Sequence, residues 1–335
     1  MLTNPFEQDA FNVYSLTRAI NLLPNNYGRV REMGLMPVQG ITTRNIVVEE
    51  FEGVLTLIPS QPVGSAGTPS QSGKRKVRSF HAPHLPLDDV LHPQDYQGLR
   101  AFGSEDMLVE LNRILNDKLQ TLKNKHAITL EHLRVGALKG VILDADGSVL
   151  YDLFNEFGLT QETVNFELGT DATDVRGKCF TVKRIIEDNL KGETMNGVHC
   201  LCGQNFMDSL TSHPEVIEAF KMQASNELRE DVRKNFSYGG ITFEEYRGKA
   251  SAPDGSTRDF IGTDDAHFFP TGTQNSFGTV AAPADFMEAV NTRGRLFYAK
   301  QTPRKHNRGV DIHTQSNPLP LCYRPGILVK GNKTT

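Results

Sequence analysis

Between Ser104 and Leu138 apolar or aromatic residues recur at every third or fourth position: Leu108, Leu111, Leu115, Leu119, Leu122, His126, Leu130, Leu133 and Ala137. That spacing is one face of an α-helix. At ~1.5 Å per residue the helix reaches roughly 50 Å, longer than an ordinary globular helix. Ser104 suits its N-cap, and Glu105 and Asp106 suit its positive end. Thr129, ahead of Leu-Glu-His, offers a second cap, so a kink is expected near 126–129. The stripe reads as core. A rod of this length crosses a whole domain, and the rest of the chain has to fold around it.

The helix runs into Arg134 to Gly158, RVGALKGVILDADGSVLYDLFNEFG, where two short apolar runs flank Asp144-Ala145-Asp146-Gly147. As chemistry, an apolar strand ending in D-x-D-G-S looks like the nucleophile loop of a haloacid-dehalogenase-type phosphatase. Asp144 would attack phosphorus, Asp146 would be the acid/base and Ser148 would hold phosphate. Such a Mg²⁺-dependent reaction also needs a lysine and a further acidic pair, for which Lys249 and Asp264-Asp265 can be stretched to fit. That fold, however, is a doubly wound parallel sheet of βαβ units. Here a helix enters the motif and a strand leaves it at once. Asp-Gly between apolar runs is also the commonest short hairpin signal. The structural reading therefore takes precedence: a hairpin over 139–151, turned by the aspartates with Gly147 at positive φ. The phosphatase stays as the alternative. No phosphate-cradling glycine loop, G-x-S-x-G or H-E-x-x-H occurs.

Composition narrows the class. Of 335 residues 38% are hydrophobic and 23% charged, which is globular. Thirty-six Lys and Arg against 40 Asp and Glu give a net charge of -4, which argues against a dedicated nucleic-acid or anionic-membrane binder. Glu7 and Asp9 sit where a signal peptide needs an apolar core, and no stretch approaches the ~18 apolar residues of a membrane helix. A soluble chain made in the cytosol is expected, with Cys179, Cys200, Cys202 and Cys322 reduced. His199-Cys200-Leu201-Cys202 lacks a second ligand pair and reads as a buried strand with core thiols. Prolines 83, 86 and 93 scatter His81, His84 and His92. Neither a metal nor a cofactor is implied.

In chain order, residues 1–40 resemble an arm with little core of its own: Phe6, Phe11 and Tyr14 are widely spaced, and a short helix ends at Leu22 ahead of Pro24. Residues 41–58 and 76–85 read as two long strands joined by a Gly/Pro/Ser/Gln-rich tip over 60–73. A two-stranded ribbon is marginal alone. Val47, Phe51, Leu55 and Leu57 need a surface, which a neighbouring subunit can supply. Lys74-Arg75-Lys76 and Arg78 make one flank basic and read as a solvated, charge-guarded edge. Further on, 164–169 is strand-like and 174–191 helical, with Cys179, Val182, Ile185, Ile186 and Leu190 on one face. Gly192 and Gly197 break the pattern and mark a boundary. A second unit follows, with VHCLCG a strand, Pro214 a helix start, 241–248 a strand, 249–280 surface loops and 295–300 a strand. The proline-bearing tail reads as short extended pieces suited to an edge and returning to the first unit.

Several stretches together resemble one family. They are LTRAINLLPNNYGRVREMGL, FHAPHLPLDDVL, LEHLRVGALKGVILDADGSVLYDLFNEFG, HPEVIEAF, GGITFEEYRG and YAKQTPRKHNRGVDIHTQSNPLPLCYRPGILVKG. In order along nearly the whole chain, they resemble the lambda-type major capsid proteins of tailed bacteriophages, the phage major capsid protein E family. The resemblance implies an α+β fold, the major capsid protein fold shared by tailed phages and herpesviruses. Its parts would be an N-terminal arm (1–40), an extended β-hairpin loop (41–92), a peripheral domain (93–192) with spine helix 104–138 and hairpin 139–151, an axial domain (193–305) and C-terminal strands (306–335) returning to the peripheral domain. It implies no catalytic, cofactor or metal residues. The partners implied are the chain itself in hexamers and pentamers, the portal, scaffolding and decoration proteins of the head, and packaged DNA held without sequence-specific contacts, with no membrane. Phe51, Leu55, Lys74, Arg75, Lys76 and Gly147 are the residues expected to matter for assembly.

Overall fold

The computed structural model describes residues 13–22, 28–51, 75–95, 107–222 and 233–333. The chain begins with α1 (Val13–Leu22), α2 (Arg29–Glu32), β1 (Val38–Gly40), β2 (Asn45–Phe51), β3 (Arg75–His81) and β4 (Leu85–Leu91). The long α3 (Met107–Lys139) leads to β5 (Val141–Leu143), β6 (Val149–Asp152), α4 (Leu153–Phe157) and β7 (Glu162–Asn165). Then come α5 (Val175–Asn189), β8 (Gly197–Cys202), α6 (Gln204–Ser212), α7 (Pro214–Met222), β9 (Phe236–Tyr238) and β10 (Ile241–Glu245). The chain ends with β11 (Lys249–Ser251), β12 (Thr257–Asp259), β13 (Asp265–Thr271), β14 (Phe277–Ala281), β15 (Tyr298–Pro303), β16 (Val310–Ser316), β17 (Pro318–Cys322) and β18 (Val329–Asn332).

Two compact units interleave along the chain. One comprises Met1–Ile46, His81–Arg134 and Gly278–Leu321, the other Val47–Phe80, Val135–Phe277 and Cys322–Thr335. The helix α3 contributes to both. In the first unit its leucine stripe does what the spacing predicts. Leu115, Leu119, Leu122 and Leu130 pack with Leu16 and Ile20 of α1, Leu91 of β4, and Phe297, Ala299 and Ile312. Truncating any of these buried leucines to alanine would cost about 2–5 kcal/mol. Ser104, Glu105 and Asp106 lie outside the described residues. The second cap expected at Thr129 is not used: the Thr129 hydroxyl donates to the Lys125 carbonyl 2.9 Å away, and the helix continues through it. A threonine hydroxyl inside a helix has that local acceptor always within reach.

The helix also buries charge. Glu131 accepts the Val30 amide at 2.7 Å, serving the N-terminus of α2 where Gly28 has no side chain to cap it. Lys123 donates to the Asn21 carbonyl. The described part of the arm is therefore docked. Thr17 and Asn21 of α1 bond the Ala299 and Phe297 carbonyls. The first unit has two three-stranded sheets. The sheet β15-β16-β4 is antiparallel, and in β1-β14-β17 the strand β1 runs parallel to β14.

The second unit is built on one six-stranded mixed sheet, in the order β7-β18-β13-β8-β10-β9. The strand β8 pairs parallel with β10 and antiparallel with β13, which puts Cys200, Phe243 and Phe268 on one face. That face is apolar and lies against α5 and α6. Phe166 stacks on Phe268 and meets Phe206 edge-on, and Cys202 lies 3.9 Å from the Met207 sulfur. All four cysteines are buried, and burial pushes the Cys179 and Cys322 thiols up to about 12. The C-x-C stretch is thus a core strand, as its composition indicates. The opposite face carries His199, bonded to Glu244 at 3.1 Å, and the fully enclosed His267.

Three expectations about the strands are overturned. Residues 249–280 are not all surface loops. Within them lie β13, buried over five of its seven residues, and β14, buried throughout. The runs A-H-F-F-P and F-G-T-V-A are too short to stand out in a window dominated by Gly, Thr and Asp, but both faces of each find partners. The tail does not sit only at edges. Its proline-free β16 and β18 lie between two neighbours, and only β17, with Pro318 and Pro320, ends a sheet. The 295–300 strand begins instead at Tyr298.

His267 and His126 carry a pH dependence. Burial first, then Lys139 and Lys330, depress the His267 pKa to about 3. Burial first, then His313, depresses that of His126 to about 4. The unfolded chain binds protons at these positions near the ordinary histidine pKa of ~6.5. It therefore takes up more protons than the folded chain between about 6.5 and those values. Stability is full above about 6.5 and falls as pH drops through that window. Denaturant unfolding of the full chain at steps across the window should show this slope, and His267→Gln should flatten it. A slope untouched by the substitution refutes the assignment.

Candidate functional site

The turn after β5 is fully bonded within itself. The Asp144 amide donates to the Ser148 carbonyl at 2.8 Å and the Gly147 amide to the Asp144 carbonyl at 3.0 Å. The Asp144 carboxylate accepts the Ala145 amide at 2.7 Å. That of Asp146 accepts both the Ser148 amide at 2.8 Å and the Ser148 hydroxyl at 2.6 Å. These two Ser148 bonds, with Arg258 beside them, hold the exposed Asp146 carboxyl below its usual range. Gly147 has φ +90°, a conformation open to glycine and strained for L side chains. A Cβ there would also lie 2.1 Å from the Arg258 guanidinium, which bonds the Asp146 carbonyl. The aspartates are thus turn-formers.

The other members of the phosphatase reading are committed elsewhere. Asp265 pairs with Lys330 at 3.0 Å, and Asp264 accepts from Asn205 at 3.1 Å. Lys249 belongs to β11. Among the described residues no group of three His, Cys, Asp or Glu side chains gathers as metal ligands. His81 bonds Asn45 and His84 bonds Asn317, each at 2.9 Å.

Arg258 comes from a second turn of the same design. Asp254-Gly255-Ser256 repeats Asp146-Gly147-Ser148, with the Asp254 carboxylate accepting the Ser256 amide at 2.9 Å and hydroxyl at 2.6 Å. Arg258, the middle residue of the following strand β12, then reaches the first turn. The repeated D-G-S is the sequence signal that could have paired the two hairpins.

The ribbon of β2 and β3 is the other exposed device. Val47 is 59% and Val77 62% exposed, whereas Phe80 is buried, edge-on to Tyr151 and stacked near Phe157. Arg78, read from sequence as one more solvated charge, instead lies 4.3 Å over the Phe157 ring and donates to the Glu156 carbonyl at 2.8 Å. A cation at a helix C-terminus satisfies carbonyls that have no partner within the helix. Lys76 is exposed. Phe51 and Arg75 are backbone positions in β2 and β3, while Leu55 and Lys74 lie outside the described residues.

Comparison with known proteins is consistent along the whole chain. Residues 12–333 match the family described as phage major capsid protein E. The sequence is 31% identical to the major capsid protein of Pseudomonas phage KPP10 and 27% identical to that of Salmonella phage Felix O1, over 98% of both chains in each case. Among solved structures, a prophage capsid protein from E. coli CFT073 superposes with a TM-score of 0.63 at 15% identity, covering 96% of this chain and 99% of that one. The mature capsid of bacteriophage PhiM1 gives 0.51 at 12% identity over 94% and 89%. At these identities the structural likeness shows a shared α+β fold.

Gly147→Val should destabilise the folded chain by about 1–3 kcal/mol, because it combines a positive φ with a branched side chain against Arg258. Asp146→Asn retains the acceptor for Ser148 and should change stability far less. Thermal unfolding of the two variants distinguishes a strained turn from a tolerant loop.

Proposed function

The chain belongs to the phage major capsid protein E family, and from that premise we propose how its copies build the shell. As a member it is a structural subunit of a phage head, located in the virion capsid, and not an enzyme. Copies of the chain form hexamers and pentamers, and these close into an icosahedral shell around packaged double-stranded DNA. The segments keep the roles implied by the resemblance: arm 1–40, extended loop 41–92, peripheral domain 93–192 around the spine helix, axial domain 193–305, and C-terminal strands 306–335. Portal, scaffolding and decoration proteins are the further partners.

The observation that best supports lateral contact is the ribbon. Val47 and Val77 are exposed on a two-stranded element whose base is anchored by Phe80 and Arg78. Exposed apolar residues on an unpaired ribbon are an aggregation liability unless a neighbour covers them. A shell subunit always has that neighbour. In this reading Phe51, Leu55, Lys74, Arg75 and Lys76 serve the same contact, with Gly147 shaping the hairpin. The net charge of -4 is consistent with DNA enclosed rather than tightly gripped.

Purified chain should sediment as capsomers and shells visible by electron microscopy. Deleting Gln61–Gly73 should leave thermal unfolding of the subunit within about 1 kcal/mol of wild type, because a stretch so rich in Gly, Pro, Ser and Gln tolerates length change, while reducing the assembled fraction. A deletion that unfolds the subunit refutes the ribbon as an intersubunit device.

A further inference from the structure

We infer that a basic, aromatic groove in the first unit receives the Asp144–Ser148 hairpin tip of a second copy of the chain; the inference rests on the shell reading above. The groove has a volume of about 320 Å³ and is lined by Tyr14 and Thr17 of α1 together with Arg293, Arg295 and Tyr298. Tyr14 in its wall is 64% exposed, and Met287 and Val290, the chain neighbours of the lining residues Glu288 and Ala289, are 87% and 59% exposed. Glu288, the carboxylate at the groove, is engaged by Lys300 at 2.9 Å. Among the described residues Arg293 and Arg295 make no ion pair. Among the described residues the groove therefore presents two guanidinium groups without an ion pair, beside the exposed Tyr14 ring.

The hairpin tip has the opposite character on a convex surface. Two carboxylates, Asp144 and Asp146, outnumber the one guanidinium of Arg258. Val149 stands beside them 60% exposed. Turn bonds within 144–148 fix the tip before any contact forms, so little ordering entropy is lost on docking. The Asp254 turn is also acidic, but no large apolar side chain is exposed beside it. An acidic tip with an apolar knob complements a basic groove with an apolar rim in charge and shape. Because the two patches differ, the contact is head-to-tail, the type that closes into rings. Arginine suits this role, since its planar fork takes carboxylates two bonds at a time.

The test uses the full chain in an assembly reaction followed by sedimentation. Asp144→Asn with Asp146→Asn removes the charges and keeps the turn acceptors. Arg293→Ala with Arg295→Ala empties the other side. Each pair should lower the assembled fraction about tenfold, and the four-fold variant should be no worse than either pair, because the groups act on one another. Separately, Val149→Cys and Val290→Cys chains are mixed and mildly oxidised; the native cysteines are all buried. A disulfide-linked dimer of the two variants on a non-reducing gel is the expected result. Additive losses, or variants that assemble like wild type with no mixed dimer, overturn the groove assignment and leave the shell reading standing. A wild-type chain that forms no shells overturns both.

Discussion

The architecture depends on burying one face of α3. A helix of 33 residues has far more apolar surface than a short one, and its own hydrogen bonds do not hold it in water. The chain resolves this with elements distant in sequence: α1 before it, β4 just before it, and β15 and β16 well over a hundred residues after it. Because those partners come from both ends of the chain, the first unit cannot fold as a continuous segment. The interleaving of the two units follows from this requirement.

Polar groups buried beside that apolar seam make the packing specific. Glu131 and Lys123 point at backbone atoms, the Val30 amide and the Asn21 carbonyl, rather than at each other. Leaving either backbone group unmet would cost about 1–3 kcal/mol, so the register of the arm on the helix is set by these ties as well as by Leu16 and Ile20. The second unit uses the same division between faces. Its sheet packs phenylalanines and thiols against helices on one side and keeps His199, Glu244 and His267 on the other. His267 bears on this most directly, since both its ring nitrogens lack partners among the described residues. It is tolerated because a neutral imidazole is far less costly to bury than an ion.

Legibility followed the strength of local periodicity. The stripe of α3, the buried C-x-C strand and the Asp-Gly turn could all be read, because each carries its own period or turn chemistry. The strands β13 and β14 could not, since their apolar runs are short and their stability comes from partners distant in sequence, β18 and β8 for β13 and β1 and β17 for β14. The prolines of the tail misled for the same reason: one edge strand holds Pro318 and Pro320, Pro325 opens a short 3-10 turn, and the strands without proline enter sheet interiors. Arg78 shows the limit on the surface. Its role depends on where the α4 carbonyls lie, and no spacing within KVRSFH encodes that.

Asp144-Ala145-Asp146-Gly147 is where chemical and structural readings of one motif compete, and the hydrogen bonds decide between them. A nucleophilic carboxylate of this kind needs a lysine and a further acidic pair gathered around it. Here one oxygen of each aspartate serves the turn, Arg258 beside them is spent on a backbone carbonyl, and Asp264 and Asp265, the acidic pair such a reaction would need, are taken by Asn205 and Lys330. The acids order the tip; they do not act on a substrate. The same features that exclude catalysis suit a docking element: a rigid, exposed, negatively charged turn on a hairpin that follows directly from the end of the spine helix.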